Sequence, residues 1–438
     1  ATMDFRAGPP AQAVQTVTIS GKTTAAQLAS AGLDTTSVVS GPMELNATLT
    51  ERRNGLGELA IASDLTAAEL TVTALAWRKP GNAAAKASAR LTLDHDRLAR
   101  LDTVQVDGDG LTVRGRGTFN GGKLTEVQFD RLVLGRTSAD AVVRLPASSS
   151  APIMVICNGA VIDLAARLER STPPHKPETT EPPRGPPWIV DAKFNRVLLA
   201  RGATLGGVVL HAENDGRVFR QLRLEGQTSA QKPILLQIVP DGAGRRLAVS
   251  AADAGELLRG LDYVKTMQGG KLSIQGHFDD TQPRRPLIGT ANLEDFRIQN
   301  APALGKLLQA MTLYGLVEVM RGPGLGFTQM EAPFRLTDDS LAIDNARAFS
   351  SSLGLTAKGR IDLDAQVIEM EGTIVPAYFF NSLLGNIPLV GKLFSPEKGG
   401  GVFAASYTVR GAVDDPQVSV NPLAALTPGF LRGLFRLF

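Results

Sequence analysis

The sequence predicts a mostly β protein built of repeated antiparallel hairpins with a few short capping helices. Two features carry this reading. Long tracts alternate apolar and polar residues with a period of two, the signature of strands with one dry and one wet face. These tracts are punctuated by Asn-Gly and Asp-Gly pairs at Asn54/Gly55, Asn120/Gly121, Asp215/Gly216 and Asp241/Gly242, which supply the positive φ that tight hairpin turns require. Composition agrees: 45 Gly and 26 Pro against only 5% aromatics suit many short elements joined by turns better than long helices. With 438 residues and 43% hydrophobic content, the chain has the means to fold into two or three domains.

Taken in order, "ISGKTTAAQL" leads a strand into Gly21, Lys22 and Thr23 and then an Ala-rich helix. A phosphate-binding loop also needs a glycine five residues before Gly21. Thr16 stands there. "LTVRGRGTFNGGKLTEVQF" is a complete hairpin, with Leu111, Val113, Gly115, Gly117 and Phe119 on one face and Thr112, Arg114, Arg116 and Thr118 on the other. Residues 1–170 thus read as an N-terminal β-rich segment. Residues 171–187, "STPPHKPETTEPPRGPP", hold seven prolines and read as an extended linker. Residues 188–438 form the C-terminal β segment, where "KLSIQGHFDD", "LGLTAKGRIDLDAQVIEMEGTIV" and "GVFAASYTVRGAVDDPQVSV" repeat one pattern. Each is an alternating strand with a glycine near its end, an acidic turn and a return strand. Short helices are expected within 251–264, with Leu257, Leu258 and Leu261 on one face, and within 301–320, with Leu304, Leu307, Leu308 and Met311; both read as caps or lids packed on a sheet.

The search for chemistry yields near misses. "RGPGLGF" lacks the third glycine spacing of a dinucleotide fingerprint, and Pro323 removes a backbone donor where one is needed. His95, His175, His211 and His277 are scattered, without metal-ligand spacing. Asp94 and Asp96 flank His95, but neighbours on a strand point to opposite faces. No G-x-S-x-G elbow occurs, and Cys157, the one cysteine, reads as a small buried residue. The expectation is therefore a non-enzyme with no cofactor and no metal. A net charge of +3 from 46 basic and 43 acidic residues offers no footprint for nucleic acid. The chain opens "ATMDFRAGPP", without the basic and apolar regions of a signal peptide, so a removed targeting segment or a C-terminal piece of a longer protein is expected.

From about Ser250 onward, "DAGELLRGLDYVKTMQGGKLSIQG", "LGLTAKGRIDLD", "FFNSLLGNIPLVGKLF" and "YTVRGAVDDPQVSVNPLAALTPGFLRGLF", in this order, resemble the C-terminal region of the AsmA-like proteins of Gram-negative bacteria, the superfamily of AsmA, TamB and YhdP relatives. The likeness extends over residues 188–438 and, more weakly, over 1–170. It implies a bridge-like lipid transfer protein: a long twisted sheet curled into an open groove, anchored in the inner membrane by an N-terminal helix not included here, and reaching across the periplasm to the outer membrane. The implied function is phospholipid transport between the two membranes in support of the outer-membrane barrier and cell-envelope biogenesis, with phospholipids, both membranes and possible envelope proteins as partners. Two other readings stand beside it: an assembly factor that receives outer-membrane strands by β-augmentation, and a passive envelope scaffold with a filled core.

Three sets of residues follow as site candidates. Shared strand parity places Leu272, Ile274 and Phe278, Leu353, Leu355, Ile361 and Leu363, and Phe403, Tyr407 and Val409 on one lipid-accessible face. The segment "YFFNSLLGNIPLVGKLF" is apolar but too interrupted to span a bilayer; Phe379, Phe380, Leu383 and Leu384 are expected in a lid or membrane-touching element, with an ordinary core helix as the alternative. At the C-terminus Phe430, Leu431, Leu434, Phe435 and Phe438 gather opposite Arg432 and Arg436. That pattern suits a helix lying in a membrane interface or one docked on the last strands.

Overall fold

The computed structural model describes residues 2–3, 9–10, 12–30, 35–95, 97–148, 150–169, 184–310, 321–351, 353–376 and 405–421. Strand dominates throughout, and two compact units are present: Ala1–Glu169 with Glu181–Gly226, and Arg170–Thr180 with Gln227–Phe438.

In the first unit the strands are β1 (Thr2–Met3), β2 (Ala13–Thr24), β3 (Val39–Ser40), β4 (Pro42–Arg52), β5 (Leu56–Asp64), β6 (Glu69–Val72), β7 (Trp77–Lys79), β8 (Ala85–Asp94), β9 (Arg97–Gly108), β10 (Leu111–Asn120), β11 (Lys123–Leu134), β12 (Thr137–Arg144), β13 (Ile153–Asp163), β14 (Trp188–Leu198), β15 (Thr204–Asn214) and β16 (Phe219–Gln227). Helices α1 (Ala25–Ser30) and α2 (Ala165–Leu168) are single turns or little more. Ladders join β1, β2, β4, β5 and β8 to β15 in succession. The expected alternation on β10 is realised, and the four turn glycines Gly55, Gly121, Gly216 and Gly242 all have positive φ.

Two features of this unit depart from the sequence reading. Strands β13 and β14 pair in parallel, through Ile153↔Trp188 to Asp163↔Leu198, whereas hairpins were expected throughout. A parallel pair needs a crossover connection, and the proline-rich stretch lies in that connection. The first unit runs on to Gly226, because the β13–β14 and β14–β15 ladders tie residues 188–214 to it. The second is a small sheet, β3·β6·β7, whose Leu70 joins Met43, Leu65, Ala68, Ala85 and Leu111 in a core at one end of the large sheet. Lys79 is 4% exposed there. Its ammonium donates to the carbonyls of Leu65 (2.9 Å), Ala68 (2.7 Å) and Pro80 (3.0 Å). These acceptors compensate a burial that alone drives its pKa down.

In the second unit β17 (Pro233–Asp241), β18 (Gly244–Ala251), β19 (Met267–Phe278), β20 (Leu287–Ile298), β21 (Leu325–Leu336), β22 (Ser340–Phe349), β23 (Leu353–Asp362), β24 (Val367–Pro376), β25 (Ala405–Ala412) and β26 (Gln417–Asn421) form an antiparallel meander in which each strand pairs with the next. Two helices interrupt it. Helix α3 (Ala254–Gly260) is capped by Asp253, whose carboxylate accepts from the Glu256 amide at 3.0 Å, and packs on β19 through buried Leu257. Helix α4 (Pro302–Ala310) buries Leu307 and Leu308. Helix α3 is shorter than the pattern 251–264, and residues 311–320 of the pattern 301–320 lie outside the described set.

Candidate functional site

The register of the second unit resolves into rungs that cross the strands. One runs Ile234, Ala251, Leu272, Leu293, Met330, Ala348, Leu355, Ile374, Ala405, from β17 to β25 without a polar member. Six residues further along β19, a second runs Phe278, Leu287, Leu336, Leu341, Ile361, Ile368. Between them lies a third, Leu247, Gly276, Gly289, Phe334, Ile343, Gly359, Met370, Val409, Val418. The glycine of the sequence repeat therefore always stands on the apolar face. A side chain at Gly276, Gly289 or Gly359 would run into the neighbouring strand's backbone, the nearest atoms lying 2.9, 2.3 and 2.2 Å from a Cβ. Gly372 is tighter still. Tyr407 lies over it and donates its hydroxyl to the Thr356 carbonyl two strands away, at 2.7 Å; burial pushes the phenol pKa up to about 12.

Parity thus brings together the sequence-nominated residues Leu272, Ile274, Phe278, Leu353, Leu355, Ile361, Tyr407 and Val409 on one face. Leu363 falls just past β23, its amide donating to the Asp339 carbonyl. Phe403 lies outside the described residues, as do Phe379, Phe380, Leu383, Leu384, Phe430, Leu431, Leu434, Phe435 and Phe438. Sequence reasoning missed Leu247, Phe334, Ile343, Ile368 and Met370, whose own alternation was the available signal.

The opposite face is charged. Lys358 meets Glu371 at 3.0 Å and Arg410 meets Glu369 at 3.5 Å, with the basic side chains 53% and 68% exposed. On the apolar face Leu353, Ile374 and Ala405 are at most 1% exposed, while Ile274, Met330, Phe334, Leu341, Leu355 and Ile368 are half-buried. Among the described residues only α3 and α4 accompany these strands.

The sheet is also curled. Lys306 on α4 lies 2.7 Å from Asp415 and 2.9 Å from the Pro416 carbonyl, in the turn between β25 and β26. In a flat sheet Ile298, where β20 ends, and that turn would be roughly 50 Å apart, from about five lateral steps of ~4.8 Å and about thirteen residues of ~3.3 Å along the strands. The chain from Ile298 to the tip of Lys306 reaches only about 25 Å. Accumulated twist and stagger close the difference. At the far end of the face Arg245 is 4% exposed, makes a two-pronged ion pair with Asp280 at 2.8 Å, and stacks 4.0 Å over the Phe278 ring.

The first unit repeats the construction on its own sheet. A rung of eleven strands reads Ile19, Ala47, Ile61, Ala89, Val104, Gly115, Phe129, Ala141, Cys157, Ala192, Leu210. Cys157 is part of this dry face. Burial, with Asp140 adding, pushes its thiol up to about 11, so it is protonated and inert. On the polar face His211 sits between Asp191 (2.7 Å) and Glu213 (3.2 Å). The Asp191 hydrogen bond is the main cause of its raised pKa. Shallow hollows on that face are bordered by Glu44, Asp64, Lys86 and Asp107, and by Arg100, Asp102, Arg116 and Glu126. They are lined mainly by charged and polar surface side chains.

The sequence's near misses remain unassembled. Gly21, Lys22 and Thr23 are rungs of the β2–β4 ladder, so their amides do not wrap an anion. His95 meets only Asp94, at 2.6 Å, and Asp96 and His175 lie outside the described residues. Among the described residues no three His, Cys, Asp or Glu side chains converge as a metal set would, and no helix is long and apolar enough to cross a membrane.

No protein-family model, curated protein or solved structure matches this chain.

The arrangement offers a curled sheet with one apolar and one charged face, the apolar face carrying half-buried side chains.

Proposed function

We propose that the protein carries phospholipid acyl chains along the apolar inside of its curled sheet, as the resemblance to AsmA-like proteins implies, and so takes part in phospholipid transport between the inner and outer membranes of a Gram-negative envelope. The observation that carries this reading is the set of unbroken apolar rungs whose middle members stay half-exposed. A filled scaffold would cover them with a second layer. Each acyl CH₂ kept from water is worth about 0.8 kcal/mol, so a sixteen-carbon chain needs a dry path over its whole length and gains about 12 kcal/mol from one. The meander offers such a path across its strands: the eight steps of the rung from Ile234 to Ala405, at ~4.8 Å each, give about 38 Å of continuous apolar surface. The headgroup stays in water, and no reacting side chain is required.

Mass spectrometry of lipids extracted from the purified, folded chain tests the reading. Stoichiometric phospholipid, lost when Leu355 and Ile368 are both replaced by Asp in a protein that still folds, is the expected result. A folded protein free of lipid overturns it.

A further inference from the structure

At one margin of the first unit the dry face meets aromatic rings and arginines. A rung of Val127, Val143, Val155, Val190 and Ala212 crosses β11 to β15, its four valines half-buried. Two residues before Val190, on the same face and nearer the strand ends, stands Trp188, the ladder partner of Ile153 and Asn214. Phe219 meets it edge to face, with ring centroids 5.6 Å apart and planes at 89°, and is itself 36% exposed. Aromatics are only 5% of the chain. A half-buried indole at the seam between apolar surface and water has its ring in the dry part and its N–H within reach of the wet one.

The turn after β15 brings cations to the same seam. Asp215 fixes that turn: its carboxylate accepts from the amides of Arg217 and Val218 at 3.0 Å each and from Arg220 Nε at 2.7 Å. Arg184 Nε donates to the Asp215 carbonyl at 3.0 Å. Three exposed arginines thus share the turn with one carboxylate, an excess of two positive charges within this group. Glu213, the next carboxylate along β15, is engaged with His211.

We propose that this margin seats an anionic phospholipid headgroup: the acyl chain lies on the valine rung, Trp188 and Phe219 hold the glycerol-ester region at the seam, and Arg184, Arg217 and Arg220 receive the phosphate. The proposal rests on the lipid-carrying reading above and adds a headgroup preference to it. Guanidinium groups pair with phosphate oxygens in a two-pronged geometry. Their surplus charge favours phosphatidylglycerol over zwitterionic phosphatidylcholine, whose trimethylammonium would lie against like charge. The Arg220–Asp215 pair is a weak competitor for the phosphate, because Arg220 is 53% exposed and an ion pair so open to water is worth little.

The test uses the full chain carrying Trp77→Phe, which leaves Trp188 as the one tryptophan, and vesicles of phosphatidylcholine doped with phosphatidylglycerol brominated near the ester end of its acyl chain. Bromine quenches indole fluorescence on contact. The variants are Arg184→Gln, Arg220→Gln, the charge-retaining Arg220→Lys, and Arg90→Gln as an exposed arginine elsewhere on the unit. The expected result is quenching of Trp188 whose half-saturation needs about fivefold more lipid in each glutamine variant, is partly restored by Arg220→Lys and is unchanged in Arg90→Gln. Bromoacyl phosphatidylcholine alone quenches less, and salt releases the anionic lipid by screening; if a glutamine variant fails to fold, that salt titration of the parent decides. Equal quenching by the two lipids, unmoved by salt or by either glutamine variant, overturns the seat and leaves the carrier intact. So does an absence of quenching while phospholipid is still extracted from the protein. Reversal of quenching by soluble glycerol phosphate overturns the lipid assignment in favour of a site for free phosphate esters. An absence of both quenching and extractable phospholipid overturns the carrier, and the seat with it.

Discussion

Replacing Gly372 by alanine probes the packing that lets the sheet curl. The new Cβ would stand 1.9 Å from the Thr356 carbonyl oxygen and 2.7 Å from the Tyr407 hydroxyl, so strand β24 must move away from β23 or the tyrosine must leave. Overpacking of this type costs about 1–3 kcal/mol, and loss of the buried Tyr407–Thr356 hydrogen bond adds about 1 kcal/mol. The sum, about 2–4 kcal/mol, lowers the melting temperature of a unit of this size by about 5–15 °C. Gly326→Ala is the control: the same substitution in the neighbouring part of the meander, where a Cβ meets nothing within 4 Å, changes stability by no more than about 0.5 kcal/mol. Calorimetry on both variants decides. If Gly372→Ala melts with Gly326→Ala, the close approach of strands at the apolar-face glycines is not what shapes the sheet.

Arg245→Met leaves Asp280 buried without its partner and costs about 3–5 kcal/mol in chemical denaturation, most of it recovered when Asp280→Leu is added; a single variant as stable as the parent contradicts the buried pairing. His211 has a folded pKa raised above its ordinary 6.5, so its contribution is fully present below pH 6.5 and is lost as pH rises through the raised value; the unfolding midpoint of the first unit should fall over that interval, and His211→Asn should flatten the slope. With its thiol at about 11 against an ordinary 9.0, Cys157 carries about a hundredfold less thiolate at pH 8 than a free cysteine; iodoacetamide should label it slowly in the native protein and at the ordinary rate in urea.

Much of this architecture is local and therefore legible in the sequence. Alternation along a strand fixes which residues share a face, and it placed Leu272 with Ile274 and Leu353 with Leu355 before any register was known. Turn chemistry was equally readable at Asn54/Gly55 and Asn120/Gly121, where positive φ is a property of the dipeptide. Register is not local. That Leu272 and Leu355 stand on one rung depends on four ladder steps around bulges such as that between Ile343 and Ala346, and no single strand records them. The parallel pairing of β13 with β14 was hidden for the same reason, since an extended proline-rich stretch reads as a linker whether the strands it joins separate or lie side by side. Arg245 and Lys79 look like surface charges in sequence. Their burial depends on partners, Asp280 and a set of backbone carbonyls, that only the fold assembles. His211 meets Asp191 twenty residues away across the β14–β15 ladder, a pairing that spacing along the chain does not announce.

The central claim is that the dry face of the second unit touches lipid and its charged face does not. A photoactivatable amino acid placed at Leu355, half-buried on the apolar rung, and in a separate protein at Lys358, exposed beside Glu371, measures this directly in a cell envelope or with phospholipid vesicles. The account predicts phospholipid crosslinked at 355 and none at 358. Equal labelling at the two positions, or labelling at 358 alone, would contradict it.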